Sequence, residues 1–219
     1  MSFFALVTKD LRRELRGKTG IQAGLVLAGL LLLVALFAYP DAELDSPVAA
    51  AVLWGPLLYA GIAAAGRGMA SESDAGTLDR LRMAGIDAVA IGASRSLVDL
   101  LVAALVVAAS AITASLLFAV PLQSPLLAAL ALATVGVALV GSLAAGIAAQ
   151  TRGRDILLPL LCIPLLAPLV QAGVSATTAA LEGATWSDLS ARLLAMAGFD
   201  VAALAGAWIL WPFLLESDA

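Results

Sequence analysis

The chain has 219 residues, of which 62% are hydrophobic and 13% charged, with a formal charge of -4. A mean hydropathy of +1.03 is too apolar for a soluble globular domain and far from the polar composition of a disordered one. With no histidine and the single cysteine Cys162, an imidazole or thiolate zinc site, a CxxC redox pair and an intrachain disulfide are all excluded. At about 20 apolar residues per crossing, this composition suffices for six membrane helices and leaves little for a soluble domain. The sequence predicts one all-α membrane domain.

In chain order, residues 3 to 16 pattern as an amphipathic helix. Phe4, Val7, Leu11 and Leu15 fall on one stripe, with Lys9, Arg12, Arg13 and Arg16 opposite. Such a helix lies along a membrane surface, either as a basic topology anchor or as an element that also touches a cytosolic partner. Residues 1–20 are assigned to it. Gly17-Lys18-Thr19 imitates the end of a phosphate loop, but Arg12 occupies the position of the required leading glycine, and no strand precedes it. ATP binding by this chain is excluded on that ground.

Six apolar stretches follow, within a permease domain of residues 21–215: Ile21 to Tyr39, Val48 to Gly66, Leu97 to Val120, Leu126 to Ala149, Ile156 to Thr178, and Leu193 to Leu215. They are helices, because lipid offers no partner to backbone groups and six strands are too few for a closed barrel. The first run exceeds the 7 to 15 residues of a signal peptide's apolar core. Between the second and third stretches lies a connection of about 30 residues, 67–96, longer than a simple link needs. Within it Thr77 is a plausible helix N-cap, and Leu78 and Leu81 share one face of a short charged helix. The segment reads either as a docking knob with exposed leucines or as a solvated loop. Gly92-Ala-Ser94 is no nucleophile elbow, since Ser96 stands where its closing glycine belongs and no histidine exists to activate a hydroxyl.

Within the spans, Asp99 lies one helical turn after Arg95, and the two are expected to pair. Asp155 starts the fifth span as a capping acid. Asp200 lies deeper in the sixth, with no cation near it in sequence, and is the best candidate for a polar contact inside the bundle. No ladder of acids follows it, which argues against a proton pump. Pro159, Pro164 and Pro168 remove three backbone donors from the fifth span, so a kink or break is expected, read either as lining a pathway or as a structural kink of the kind membrane helices tolerate. Gly136, Gly141, Ser142, Ala145 and Gly146 permit close helix approach in the fourth span. Cys162 reads as a packing residue, and Trp54, Trp186, Trp208 and Trp211 as anchors at the membrane interfaces.

Eleven of the twelve Lys and Arg residues precede the first span or lie in the second-to-third and fourth-to-fifth connections, leaving Arg192 opposite. Basic loops stay in the cytoplasm, so both termini are predicted inside, with 216–219 as a cytoplasmic tail.

The pieces Lys9-Asp10-Leu11-Arg12, Leu53-Trp54, Glu72-x-Asp74-x-Gly76-Thr77-Leu78-x-x-Leu81, Gly141-Ser142-Leu143, and Ile156-Leu157-Leu158-Pro159 to Pro168 stand in an order that resembles the CcmB family. CcmB is the permease subunit, or heme exporter protein B, of the cytochrome c maturation ABC transporter. The resemblance implies a six-helix permease of the cell membrane, with an N-terminal interfacial helix carrying Arg12, Arg13 and Arg16 and a cytoplasmic coupling helix between spans two and three. In that helix Glu72, Asp74, Gly76, Thr77, Leu78 and Leu81 would meet a separate ATPase, CcmA. It further implies work with CcmC and CcmD on heme delivery to the chaperone CcmE, so ATP acts through the partner and this chain is not itself an enzyme. Heme is a possible substrate, but without histidine, its usual axial ligand, direct heme binding is not predicted. A permease exporting lipid, drug or polysaccharide, and a membrane scaffold without an ATPase, are the alternatives.

Overall fold

The computed structural model describes residues 3–17, 19–39, 44–74, 77–149, 151 and 153–216, with side chains throughout these except at 17, 19–20, 71–74, 78–79, 82, 154–155 and 215–216. Among the described residues there are eight helices and no strand: α1 (Phe3–Gly17), α2 (Thr19–Ala38), α3 (Ser46–Asp74), α4 (Thr77–Met83), α5 (Ala88–Phe118), α6 (Ser124–Ala149), α7 (Arg154–Leu181) and α8 (Trp186–Glu216). Six of them, α2, α3, α5, α6, α7 and α8, are long and apolar enough to cross a membrane. The protein is a multi-pass membrane protein.

α6 forms the centre, packing against α3, α5, α7 and α8. Of its spanning stretch 67% is buried, against 17% for that of α8. Small residues make this possible. A Cβ added at Gly141 would lie 3.4 Å from the Gly61 carbonyl oxygen of α3, so the two backbones approach closely, as small residues at membrane helix contacts allow. Cys162, fully buried, fills space in the core as expected. By contrast α2 and α8 turn Val26, Leu30, Phe37, Leu204 and Phe213 outward, the apolar surface that lipid covers.

Three helices outrun the expected spans. α3 continues from Gly66 to Asp74, α5 starts at Ala88 rather than Leu97, and α8 starts at Trp186 rather than Leu193. The 67–96 connection is therefore mostly helix. Gly85, at φ 67°, turns the chain after α4, a left-handed conformation that glycine adopts without a steric penalty. Asp87 then caps α5, its carboxylate accepting a hydrogen bond from the Ala90 N–H at 2.8 Å. At the other end of the bundle Gly183, at φ 87°, separates α7 from α8. There Asp188 accepts from the Thr185 N–H at 2.9 Å.

Candidate functional site: a polar hub at the basic end of the bundle

Apolar membrane helices tolerate polar groups where each finds a partner. α5 concentrates them in one stretch near its start, where Ser94, Arg95, Ser96 and Asp99 are all buried. Arg95 and Asp99, one turn apart, form the expected ion pair. Arg95 Nε donates to Asp99 Oδ2 at 3.3 Å and Nη2 donates to Asp99 Oδ1, a two-pronged geometry that a guanidinium presents and an ammonium does not. The same Nη2 also donates to the Ala64 carbonyl of α3 at 3.3 Å. Room for the guanidinium exists because α3 has glycine at 68, where an added Cβ would overlap it.

Ser94 points the other way and donates to Asp10 Oδ2 of α1 at 3.3 Å, while Lys9 Nζ lies 2.9 Å from the other oxygen of Asp10. Ser96 meets Ser142 of α6, the hydroxyls 2.6 Å apart. Within six residues, then, α5 holds α1, α3 and α6 together by polar contacts. Only the Arg95–Asp99 pair was legible in the sequence. The remaining signal was the Ser-Arg-Ser run itself, three polar residues in a row at the edge of an apolar span, together with a glycine at 68.

Sequence-predicted residues fall unevenly around this hub. The backbone of Glu72 and Asp74 belongs to the last turn of α3, and their side chains lie outside the described residues, as does Gly76 entirely. Thr77 opens α4, and the side chain of Leu78 is again outside the described residues. Leu81 corrects the expectation of an exposed leucine. It is 7% exposed and joins Met69 and Ile91 in the core, because α4 folds back on α3 and buries its apolar side there. Met83 is an exposed apolar residue of α4.

α1 turns to the bundle a face that the stripe of apolar residues does not mark. Leu6 and Asp10 are buried, whereas Phe4 and Leu15, on the anticipated apolar stripe, are exposed. Arg12 and Arg16 are exposed and Arg13 half-buried. The helix thus has three faces: one on the bundle, one apolar and open, and one basic.

In α7 the expected break is absent. The helix runs as one element through Pro159, Pro164 and Pro168, and all three prolines are exposed. Asp200 is buried in α8, where an added Cβ at Gly136 of α6 would lie 2.5 Å from its Oδ1. Neither of its carboxyl oxygens has a hydrogen-bond partner among the described residues, so the anticipated polar contact is not found there. Two of the four tryptophans are not interfacial anchors. Trp54 is buried against Gly173, its indole N–H donating to Thr177 Oγ1 at 3.1 Å. Trp211 is buried beside Gly92 and Gly146. In both cases glycines opposite make space for the ring, while Trp186 and Trp208 remain exposed.

No curated protein matches this chain closely. The family model described as CcmB protein matches residues 1–215, nearly the whole length. The chain belongs to the CcmB family, the membrane permease subunits of heme export and cytochrome c maturation.

Proposed function

We propose that this permease converts nucleotide hydrolysis by a partner ATPase into movement of its helices for heme delivery, and that the segment from Arg67 to Met83 is where the ATPase pushes. The observation that carries the reading is the path of α3. One unbroken helix runs from Ser46, at the far end of the bundle, to Asp74, and ends beside α4. Along the way Arg95 grips it at Ala64. A displacement of α4 therefore reaches the bundle as motion of a rod, and the hub passes it to α1 and α6, since packed elements shift between discrete arrangements instead of deforming smoothly. Glu72, Asp74, Gly76, Thr77 and Leu78 form the contact surface, with Leu81 as the inner residue that fastens α4 to α3.

The basic ends of these helices belong to the cytoplasm in this reading, which places both termini inside and α1 along the inner membrane surface with Arg12, Arg13 and Arg16 toward the headgroups. CcmA-like ATPase, CcmC-like and CcmD-like membrane proteins and a CcmE-like chaperone are the partners that family membership supports. Heme is cargo of the assembly. Without histidine the chain offers no imidazole to its iron, so its contribution is mechanical: passing the porphyrin along apolar surface or releasing the loaded chaperone. Pro159, Pro164 and Pro168, on the outer side of α7, are positions where a neighbouring subunit or the cargo would meet a helix short of backbone donors.

The test is co-purification. Leu78→Asp or Gly76→Asp is expected to abolish association with the ATPase while the chain still inserts into the membrane. Retained association in both variants overturns the assignment of the coupling segment.

A further inference from the structure

α1 carries chemistry that goes beyond its placement along the inner membrane surface proposed above, and its choice of lipid rests on that placement. Leu6 and Asp10 anchor it to α5, and Ser94, the residue that receives Asp10, lies about 9 Å along α5 from its first residue at a helical rise of 1.5 Å. This fixes α1 beside the first turns of α5, and the chain then passes into the outward-facing apolar α2. The two faces left open differ in kind and adjoin each other. Phe4 is 79% and Leu15 51% exposed, and beside them stand the exposed Arg12 and Arg16. A groove of about 800 Å³ lies against this helix, lined by Phe4, Ala5, Thr8, Lys9, Arg12, Arg13 and Arg16.

A ligand for such a groove must be anionic and apolar in one molecule. An acidic protein segment would match the arginines and leave Phe4 and Leu15 in water. A zwitterionic lipid would cover the apolar face without net charge for the arginines to meet.

We propose that α1 is a binding site selective for anionic phospholipid, with the phosphate held by Arg12, Arg13 and Arg16 and the acyl chain lying over Phe4 toward Leu15. Guanidinium groups suit phosphate oxygens because they donate in pairs, and clustered basic residues on an amphipathic helix favour anionic leaflets. Since Asp10 binds Ser94, next to Arg95, a lipid held by α1 also steadies the turn of α5 that grips α3.

The experiment uses the full purified chain in detergent, titrated with phosphatidylglycerol or phosphatidylcholine of the same acyl chains, with bound lipids counted by native mass spectrometry and the thermal midpoint read in parallel. We expect phosphatidylglycerol to bind about tenfold more tightly than phosphatidylcholine and to raise the midpoint. The double variant Arg12→Gln/Arg16→Gln should lose that tenfold preference, since basic residues near an anionic surface supply it. Phe4→Ser should weaken both lipids alike. Equal binding of the two lipids by the unaltered chain overturns the proposal. So does a double variant that keeps its phosphatidylglycerol preference. No ATPase is needed for the lipid measurement, so its failure leaves the coupling reading untouched.

Discussion

Asp99 and Asp200 are both buried carboxyl groups in membrane helices of one bundle, yet they live in opposite surroundings. Asp99 receives two donors from Arg95, and that guanidinium goes on to bind the α3 backbone. Asp200 lies against Gly136 and the side chain of Leu169, and its oxygens have no partner among the described residues. At the basic end, polar groups are spent on joining helices α1, α3, α5 and α6. In the α6–α7–α8 region, close packing of apolar side chains joins them, and Asp200 makes no hydrogen bond across it among the described residues. The contrast separates two ways of holding membrane helices together, and single substitutions distinguish them.

The largest effect is expected at the hub. Arg95→Ala removes one member of a buried pair and leaves Asp99 uncompensated, which costs about 3–5 kcal/mol in comparable buried pairs. The measurement is the thermal midpoint of the purified chain in detergent. Replacing both partners, Arg95→Met with Asp99→Leu, should recover most of the loss, because well-packed apolar residues are often as stable as a buried ion pair. If the double variant is as unstable as Arg95→Ala, the contact with Ala64 matters more than the pair. In the other region the strain is steric. Gly173→Val drives a side chain into the Trp54 ring, and overpacking of this kind costs about 1–3 kcal/mol. The same midpoint, together with near-ultraviolet circular dichroism of the tryptophans, reads it.

How much of this was legible beforehand follows the same division. The six spans were readable because each is a run of apolar residues long enough to cross, a property of local composition. Their ends were not. A hydropathy reading stops at Arg67 and at Arg95 because charge in lipid is costly, yet the helices continue through both, and the cost at Arg95 is met by a partner on the same helix and a carbonyl on another. The docking face of α1 was not legible for a related reason. Periodicity identifies Phe4, Val7, Leu11 and Leu15 as a stripe, but which face meets the bundle depends on Ser94, 84 residues on from Asp10. Trp54 and Trp211 were likewise placed at the membrane surface from their position in sequence, because the glycines that accommodate them belong to other helices.

Asp200→Leu probes the acid that has no hydrogen-bond partner among the described residues. Leucine keeps the branch at Cγ and removes the polar atoms, so the protein is expected to gain about 1 kcal/mol, the lower end of what a buried unsatisfied group costs. A loss of similar size would reveal a donor to Asp200 and erase the contrast with Asp99. A stable variant that no longer supports cytochrome c maturation would instead place the carboxyl in the working cycle.

The smallest expected effect tests whether the hub is one network or a set of separate contacts. Ser96 and Ser142 share a hydrogen bond of 2.6 Å between α5 and α6, and Ser142 also donates along its own helix to Leu139 O at 3.0 Å. Either alanine substitution should therefore cost only about 0.6 kcal/mol, the average for interhelical hydrogen bonds in membranes. The informative quantity is the coupling in a double-mutant cycle of Ser142→Ala with Asp10→Asn, at opposite sides of α5. Distant, independent contacts add within about 0.5 kcal/mol, so additivity would mean that α1 and α6 are held separately. A coupling above that value would mean that the turn from Ser94 to Asp99 moves as a unit, which is what transmission from α4 to the rest of the bundle requires.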